Sequence, residues 1–188
     1  ALAMVEAVRR LGAEQADQDL PTIAIGVGIN TGPCYVGNMG SDQRFNYSVL
    51  GDPVNVASRL EGQSKTYGVS IVVGDTTMES ASDMAGLRLD LVRLKGKTQP
   101  VWLFGLLGDV ELARSEAFVA LTDAHEAMLQ AYRAQDWDGA TRHLESCRPL
   151  GEEFGLDTLY SLYDERVAAM RAEPPGSDWD GVYVALSK

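Results

Sequence analysis

Residues 45–62 read FNYSVLGDPVNVASRLEG, and the rest of the chain is organised around them. The first half alternates: Phe45, Tyr47 and Val49 fall on one side, Asn46 and Ser48 on the other. Alternation with one polar face predicts a short β-strand. The second half starts a helix, with Asp52 expected as N-cap and Pro53 at the first helical position, where its missing N–H costs nothing. Val54, Ala57, Ser58 and Glu61 recur at helical spacing, and Asn55 and Arg59, four residues apart, share one face. An amide, a guanidinium and the Ser48 hydroxyl therefore converge at a strand-to-helix junction. Such a set of groups suits an anionic, nucleotide-like ligand.

Upstream, Ala1, Met4, Val5, Val8 and Leu11 make an apolar stripe over a first helix, residues 1–13. Residues 22–29, TIAIGVGI, form a buried-strand run, followed by the turn residues Asn30-Thr31-Gly32-Pro33 and a second strand, CYVGNMG. These two strands are expected to pair as a β-hairpin. Gly26, Gly28 and Gly32 do not make a dinucleotide loop, because Thr31 holds the third glycine's position and a turn follows instead of a helix. Downstream, Gly68 should end the central helix. Residues 69–73, VSIVV, are a buried strand, and Asp75 or Thr76 is expected to N-cap a short helix. Residues 87–94 and 101–107 should form a hairpin about the Lys95-Gly96-Lys97 turn. The pattern predicts a layered α/β or α+β domain with a partly antiparallel sheet.

From Glu111 onward strand patterns vanish. Phe118, Leu121, His125, Met128, Leu129 and Tyr132 keep helical spacing, and two further helices follow around Leu144 to Leu150 and Leu159 to Met170. QDWDGATRHLESC, with small residues at Gly139 and Ala140, resembles the turn and second helix of a tetratricopeptide repeat. Pro174-Pro175-Gly176-Ser177 ends the helices, and Trp179, Val182 and Tyr183 suggest that the final segment docks.

At 188 residues the chain holds a domain and an appendage, here divided as 1–108 and 109–188. Its 27 acidic residues against 16 basic ones exclude a general nucleic-acid or anionic-membrane binder, which needs a positive footprint. Cys34 and Cys147 lack metal-ligand spacing and read as free thiols in a reducing, cytoplasmic setting, with Cys34 expected to be a small buried hydrophobe. His125 and His143 read as packing or solvated residues, not ligands. No run reaches the ~18 apolar residues of a membrane helix. The chain opens at Ala1 without an initiator Met or signal-peptide pattern, and so reads as part of something longer.

FNYSVLGDPVNVASRLEG, preceded by GVGINTG and followed by KGK, resembles the C-terminal half of a class III nucleotide cyclase catalytic domain over residues 23–107. The motifs occur in the family's order and spacing, and the helical tail ending PPGSDWDGV resembles those of some bacterial members. The implied fold is α+β: the C-terminal part of a ferredoxin-like cyclase domain with a mixed, partly antiparallel sheet, followed by an all-α tail. The implied activity is conversion of ATP, or in some branches GTP, to the 3′,5′-cyclic nucleotide and pyrophosphate by a homodimer with shared sites. By this resemblance Asn55 orients the ribose and Arg59 stabilises phosphate charge. Ser48 contacts the purine, and Lys95, or less favourably Lys97, approaches the terminal phosphates.

The family also binds two Mg²⁺ or Mn²⁺ ions through aspartates of the N-terminal half, and nothing before Ile23 matches those motifs. The resemblance therefore implies metal ligands upstream of this chain and no turnover by the chain alone. A non-catalytic module for dimerisation or regulation is the alternative. Uncovered apolar sheet surface would also favour self-association.

Overall fold

The structure is a computed structural model describing residues 1–16, 18, 20–21, 23–41, 44–94 and 96–184, with side chains at these positions except 41, 44 and 45. Lys95, expected at the phosphates, lies outside the described residues. The chain opens with α1 (Leu2–Ala16), then β1 (Val27–Ile29), β2 (Tyr35–Ser41), β3 (Arg44–Leu50) and α2 (Asp52–Tyr67). β4 (Ile71–Gly74), α3 (Asp75–Ser80), β5 (Ala85–Arg93) and β6 (Val101–Gly108) follow. The remainder is α4 (Val110–Ala113), α5 (Glu116–Arg133), α6 (Trp137–Glu152), α7 (Asp157–Ala172) and the short β7 (Tyr183–Val184).

The expected α+β class with a mixed, partly antiparallel sheet and a helical C-terminal region is what the structure shows. Five strands run in the order β1-β4-β6-β5-β7, with β1–β4 and β5–β7 parallel and the other pairs antiparallel. β4 is buried throughout, as its unbroken Ile-Val-Val run predicts. The β5–β6 hairpin forms where the alternation placed it.

The expected hairpin of residues 22–29 with 34–40 does not form. β1 instead pairs in parallel with β4, Val27 opposite Ile71, while β2 pairs with β3, Tyr35 opposite Leu50. The turn at Asn30-Thr31-Gly32 tucks under the start of α2 and so leads the chain out of the main sheet. Cys34, at the base of the separate β2–β3 arm, is exposed, not buried as expected. The two helix caps also differ from expectation. Gly51 at φ +155°, a conformation that favours glycine, precedes α2, and Gly74 precedes α3, so Asp52 and Asp75 are the first helical residues.

The helical region does not stand off from the sheet. Leu87, Leu89 and Leu103 share one apolar cluster with Leu121, Met128 and Tyr163. The final segment docks as its aromatic residues suggested: Trp179 packs edge-on against Tyr132 at 5.5 Å, and β7 joins β5. No helix among the described residues is long and apolar enough to cross a membrane.

Candidate active site

α2 carries the two residues singled out on one face. Asn55 is exposed and Arg59 is half-buried, and neither side chain has a hydrogen bond or ion pair among the described residues. Arg59 points toward the turn between β5 and β6. Its Nη2 lies 3.7 Å from where a side chain on Gly96 would begin, an ordinary contact distance, and Gly96 itself sits at φ +75°, a conformation that favours glycine. The same turn ties back to α2 through an ion pair between Lys97 Nζ and the Asp52 carboxylate. Asp52 stands in the first helical turn, where a negative charge complements the helix dipole.

Three contacts fix where the first half of α2 lies. The Asn30 side-chain amide donates to the Pro53 carbonyl at 3.2 Å, and any side chain on Gly32 would strike the Pro53 ring. β1 then passes so close beneath the helix that a Cβ on Gly28 would collide with the Ala57 carbonyl and the Glu61 amide. Ala57 lies midway between Asn55 and Arg59, so this backbone approach sets the height of both.

Ser48 belongs to the separate β2–β3 sheet and is exposed. Its cross-strand partner is Gly37, beside which the space is open, so the hydroxyl faces an uncovered surface. The arm also exposes large apolar side chains, Tyr35 by 81% and Tyr47 by 78%. Thus the β5–β6 turn lies along the first half of α2, Lys97 at Asp52 and Gly96 beside Arg59, with Asn55 on the Arg59 face. Ser48 approaches through the chain connection alone.

The far end of α2 is buried. Tyr67 donates to Asp90 Oδ2 at 2.7 Å, and Arg166 of α7 reaches the same oxygen at 2.6 Å. Burial, followed by the Asp90 charge, pushes the Tyr67 hydroxyl well above its ordinary range, so it remains a donor. Desolvation, the largest single influence, opposes the Arg166 charge, but Asp90 together with Tyr67 and Tyr163 outweighs it and the net shift is upward.

Residues 1–106 match the family described as the adenylate and guanylate cyclase catalytic domain. The chain belongs to this family. The match to this cyclase family reaches back across α1, beyond the residues whose motifs carried the resemblance. Adenylate cyclase 1 of Rhizobium meliloti (strain 1021) is 35% identical over 111 residues, covering 58% of this chain and 17% of the relative. The adenylate cyclase of Anabaena cylindrica is 33% identical over 112 residues, covering 55% of this chain and 22% of the relative. The chain thus spans about a fifth of the length of these relatives. Among solved structures, the adenylyl cyclase CyaB from P. aeruginosa superposes with a TM-score of 0.51 at 30% identity. That alignment covers 57% of this chain and 55% of CyaB.

In this cyclase domain the sequence pointed to Asn55 and Arg59 but missed their supports, Gly28 and Asn30. Both were visible only as strand and turn residues. The available signal was the glycine within an otherwise β-branched strand, which marks a close backbone approach. Among the described residues, no group of three or more His, Cys, Asp or Glu side chains could hold a metal ion.

Proposed function

We propose that this domain is the phosphate- and ribose-handling half of a nucleotide cyclase that converts ATP to 3′,5′-cyclic AMP and pyrophosphate. The observation that carries this reading is the face of α2, where Asn55 and Arg59 stand without partners among the described residues beside an open glycine turn. In the reaction the ribose 3′-oxygen attacks the α-phosphorus while the bond to the β-phosphate oxygen breaks. The 3′-hydroxyl proton is lost, and pyrophosphate leaves with the bonding electrons. Arg59 offers a planar, delocalised cation to the charge that develops on the phosphoryl oxygens, where preorganised electrostatics contribute most. Asn55, one turn earlier, can donate and accept at once, as holding a ribose requires. Lys97 supplies a second cation near the helix start, and Lys95 is proposed to accompany it. Ser48 offers a hydroxyl to the purine edge, with ATP favoured over GTP.

Metal ions would be held by residues outside those described, so the isolated chain is proposed to be inactive. The exposed apolar arm supports a homodimer, since a two-stranded hairpin is marginal alone and large apolar patches mark contact surfaces. The division at residues 108 and 109 and a single tetratricopeptide-like unit in α5–α6 belong to the same proposal. Burial of Gly139 and Ala140 in α6 supports that unit. A cytoplasmic location is supported by the two free cysteines.

The test is cyclic AMP and cyclic GMP production by the full-length protein with Mn²⁺ and ATP or GTP, alongside Arg59→Ala. Loss of one preorganised charge donor predicts a fall in kcat of about 10²-fold or more. If the full-length protein makes neither product, the catalytic reading is dead. The second reading is a non-catalytic dimerisation or regulatory module, supported by the exposed apolar arm with Tyr35 and Tyr47. That module would dimerise with no nucleotide turnover.

A further inference from the structure

α2 is held at both ends, and the grip on its C-terminal end comes from the helical region. Tyr67, the last helical residue, is fully buried with its hydroxyl on Asp90. Asp90 also accepts from Arg166 and, through its other oxygen, from the Leu91 amide at 2.8 Å. The Arg166 and Asp90 side chains are only 7% and 4% exposed. The guanidinium lies 3.7 Å from the centroid of the Tyr183 ring, which closes over it from β7. A second contact is independent of charge: the open side of Gly68, the left-handed residue that stops α2, is filled by Thr158 in the first turn of α7.

A buried ion pair is a weak source of stability, because desolvation offsets the attraction, so its geometric consequence is the more informative property. Here the pair ties three elements to one carboxylate: the end of α2, the middle of β5 and the body of α7. Arg59 lies eight residues before Tyr67, about 12 Å along the helix at 1.5 Å per residue. With Gly28 supporting its middle, a change in the seat of Tyr67 tilts the Asn55 and Arg59 face. We propose that α7 positions the site helix, with Arg166 acting through Asp90 and Tyr67 to set where Asn55 and Arg59 stand. This rests on the cyclase reading of those two residues. Arg166 is accordingly a positioning residue, and the helical region is a control element for the reaction instead of an independent module.

The experiment compares Arg166→Met, Arg166→Lys and Tyr67→Phe in two measurements. In the first, cyclase turnover of the full-length protein, Arg166→Met should lower kcat about tenfold or more with KM for ATP held within about twofold. Arg166→Lys, which restores the charge, should recover part of that loss. Tyr67→Phe, which removes one hydroxyl, should lower kcat in the same direction by less. The second measurement is amide hydrogen exchange of this chain. Arg166→Met should accelerate residues 54–59 about tenfold, while residues 118–129 of α5 stay within about twofold of wild type. Wild-type kcat in Arg166→Met, or unchanged exchange at residues 54–59, would overturn the proposal. Equal acceleration of every helix would overturn it too, since that reports general loosening. If Arg59→Ala leaves turnover intact, the catalytic role given to Arg59 falls by itself, and the exchange comparison alone decides whether α7 holds α2.

Discussion

The Lys97 ammonium is paired with the Asp52 carboxylate, joining the β5–β6 turn to the first residue of the helix that carries Asn55 and Arg59. Asp52 is largely exposed, so this pair belongs to the class of surface ion pairs worth at most about 1 kcal/mol. Lys97→Met should therefore shift the melting temperature by no more than about 4 °C. If Lys97 also serves the phosphates, KM for ATP should rise several-fold in the full-length protein. A fall in melting temperature with an unchanged KM would reduce Lys97 to a pin between turn and helix.

Ser48 and Gly37 face each other across the arm, and the space beside the glycine is open. A purine edge can be read there by a hydroxyl that accepts from an amino group or donates to a ring nitrogen. Ser48→Asp keeps an acceptor for the adenine amino group and removes the flexible donor, so it should preserve or sharpen the preference for ATP. Measuring kcat/KM for ATP and GTP side by side checks this. A switch toward GTP would refute the purine-reading role.

Gly28 touches α2 backbone to backbone, leaving no room for a methyl group at the Ala57 carbonyl. Gly28→Ala must push β1 and α2 apart, and overpacking of this kind costs about 1–3 kcal/mol. In a chain of this size that corresponds to a melting temperature lower by roughly 2–12 °C. Because the displaced segment lies between Asn55 and Arg59, turnover should fall even below the melting range. A variant that melts early yet keeps full kcat would show that this contact is structural only.

What could be read from the sequence was local. The alternation of Tyr47, Ser48 and Val49, the stop at Gly68 and the hairpin about Gly96 each depend on neighbours within a few residues, and each is present. The partner of β1 was not legible, because β4 lies more than forty residues further on and only the seat of the Asn30 turn beneath Pro53 decides between the pairings. Asp52 reads as an N-cap until Lys97 is seen to take its carboxylate. Asp90 reads as the polar member of an alternating strand, and Arg166 as one cation in a helix. Their meeting across 76 residues has no sequence signature.

His125 gives the structure a pH dependence separate from the site. It is fully buried in α5, its Nε2 lies 2.7 Å from the Arg88 carbonyl, and the rings of Tyr160 and Tyr163 pack against it. The carbonyl fixes Nε2 as the N–H donor, and Nδ1 has no partner among the described residues to share a second proton. Burial lowers the imidazole pKa from 6.5 to about 4, against the pull of the Arg88 carbonyl and with help from the Arg88 charge. Above pH 6.5 both folded and unfolded chains hold a neutral ring, so the group contributes no pH dependence. Below it the unfolded chain takes up a proton that the folded chain refuses, so stability falls as pH falls, levelling off below about 4. Linkage puts the loss between pH 7 and pH 4 at about 3 kcal/mol. His125→Gln keeps a donor for the Arg88 carbonyl but does not titrate. Unfolding free energies of wild type and variant, followed by urea titration at intervals from pH 7 to 4, should converge by about that amount. Parallel curves would mean that the imidazole is protonated in place, and that the packing of Tyr160 and Tyr163 admits the charge.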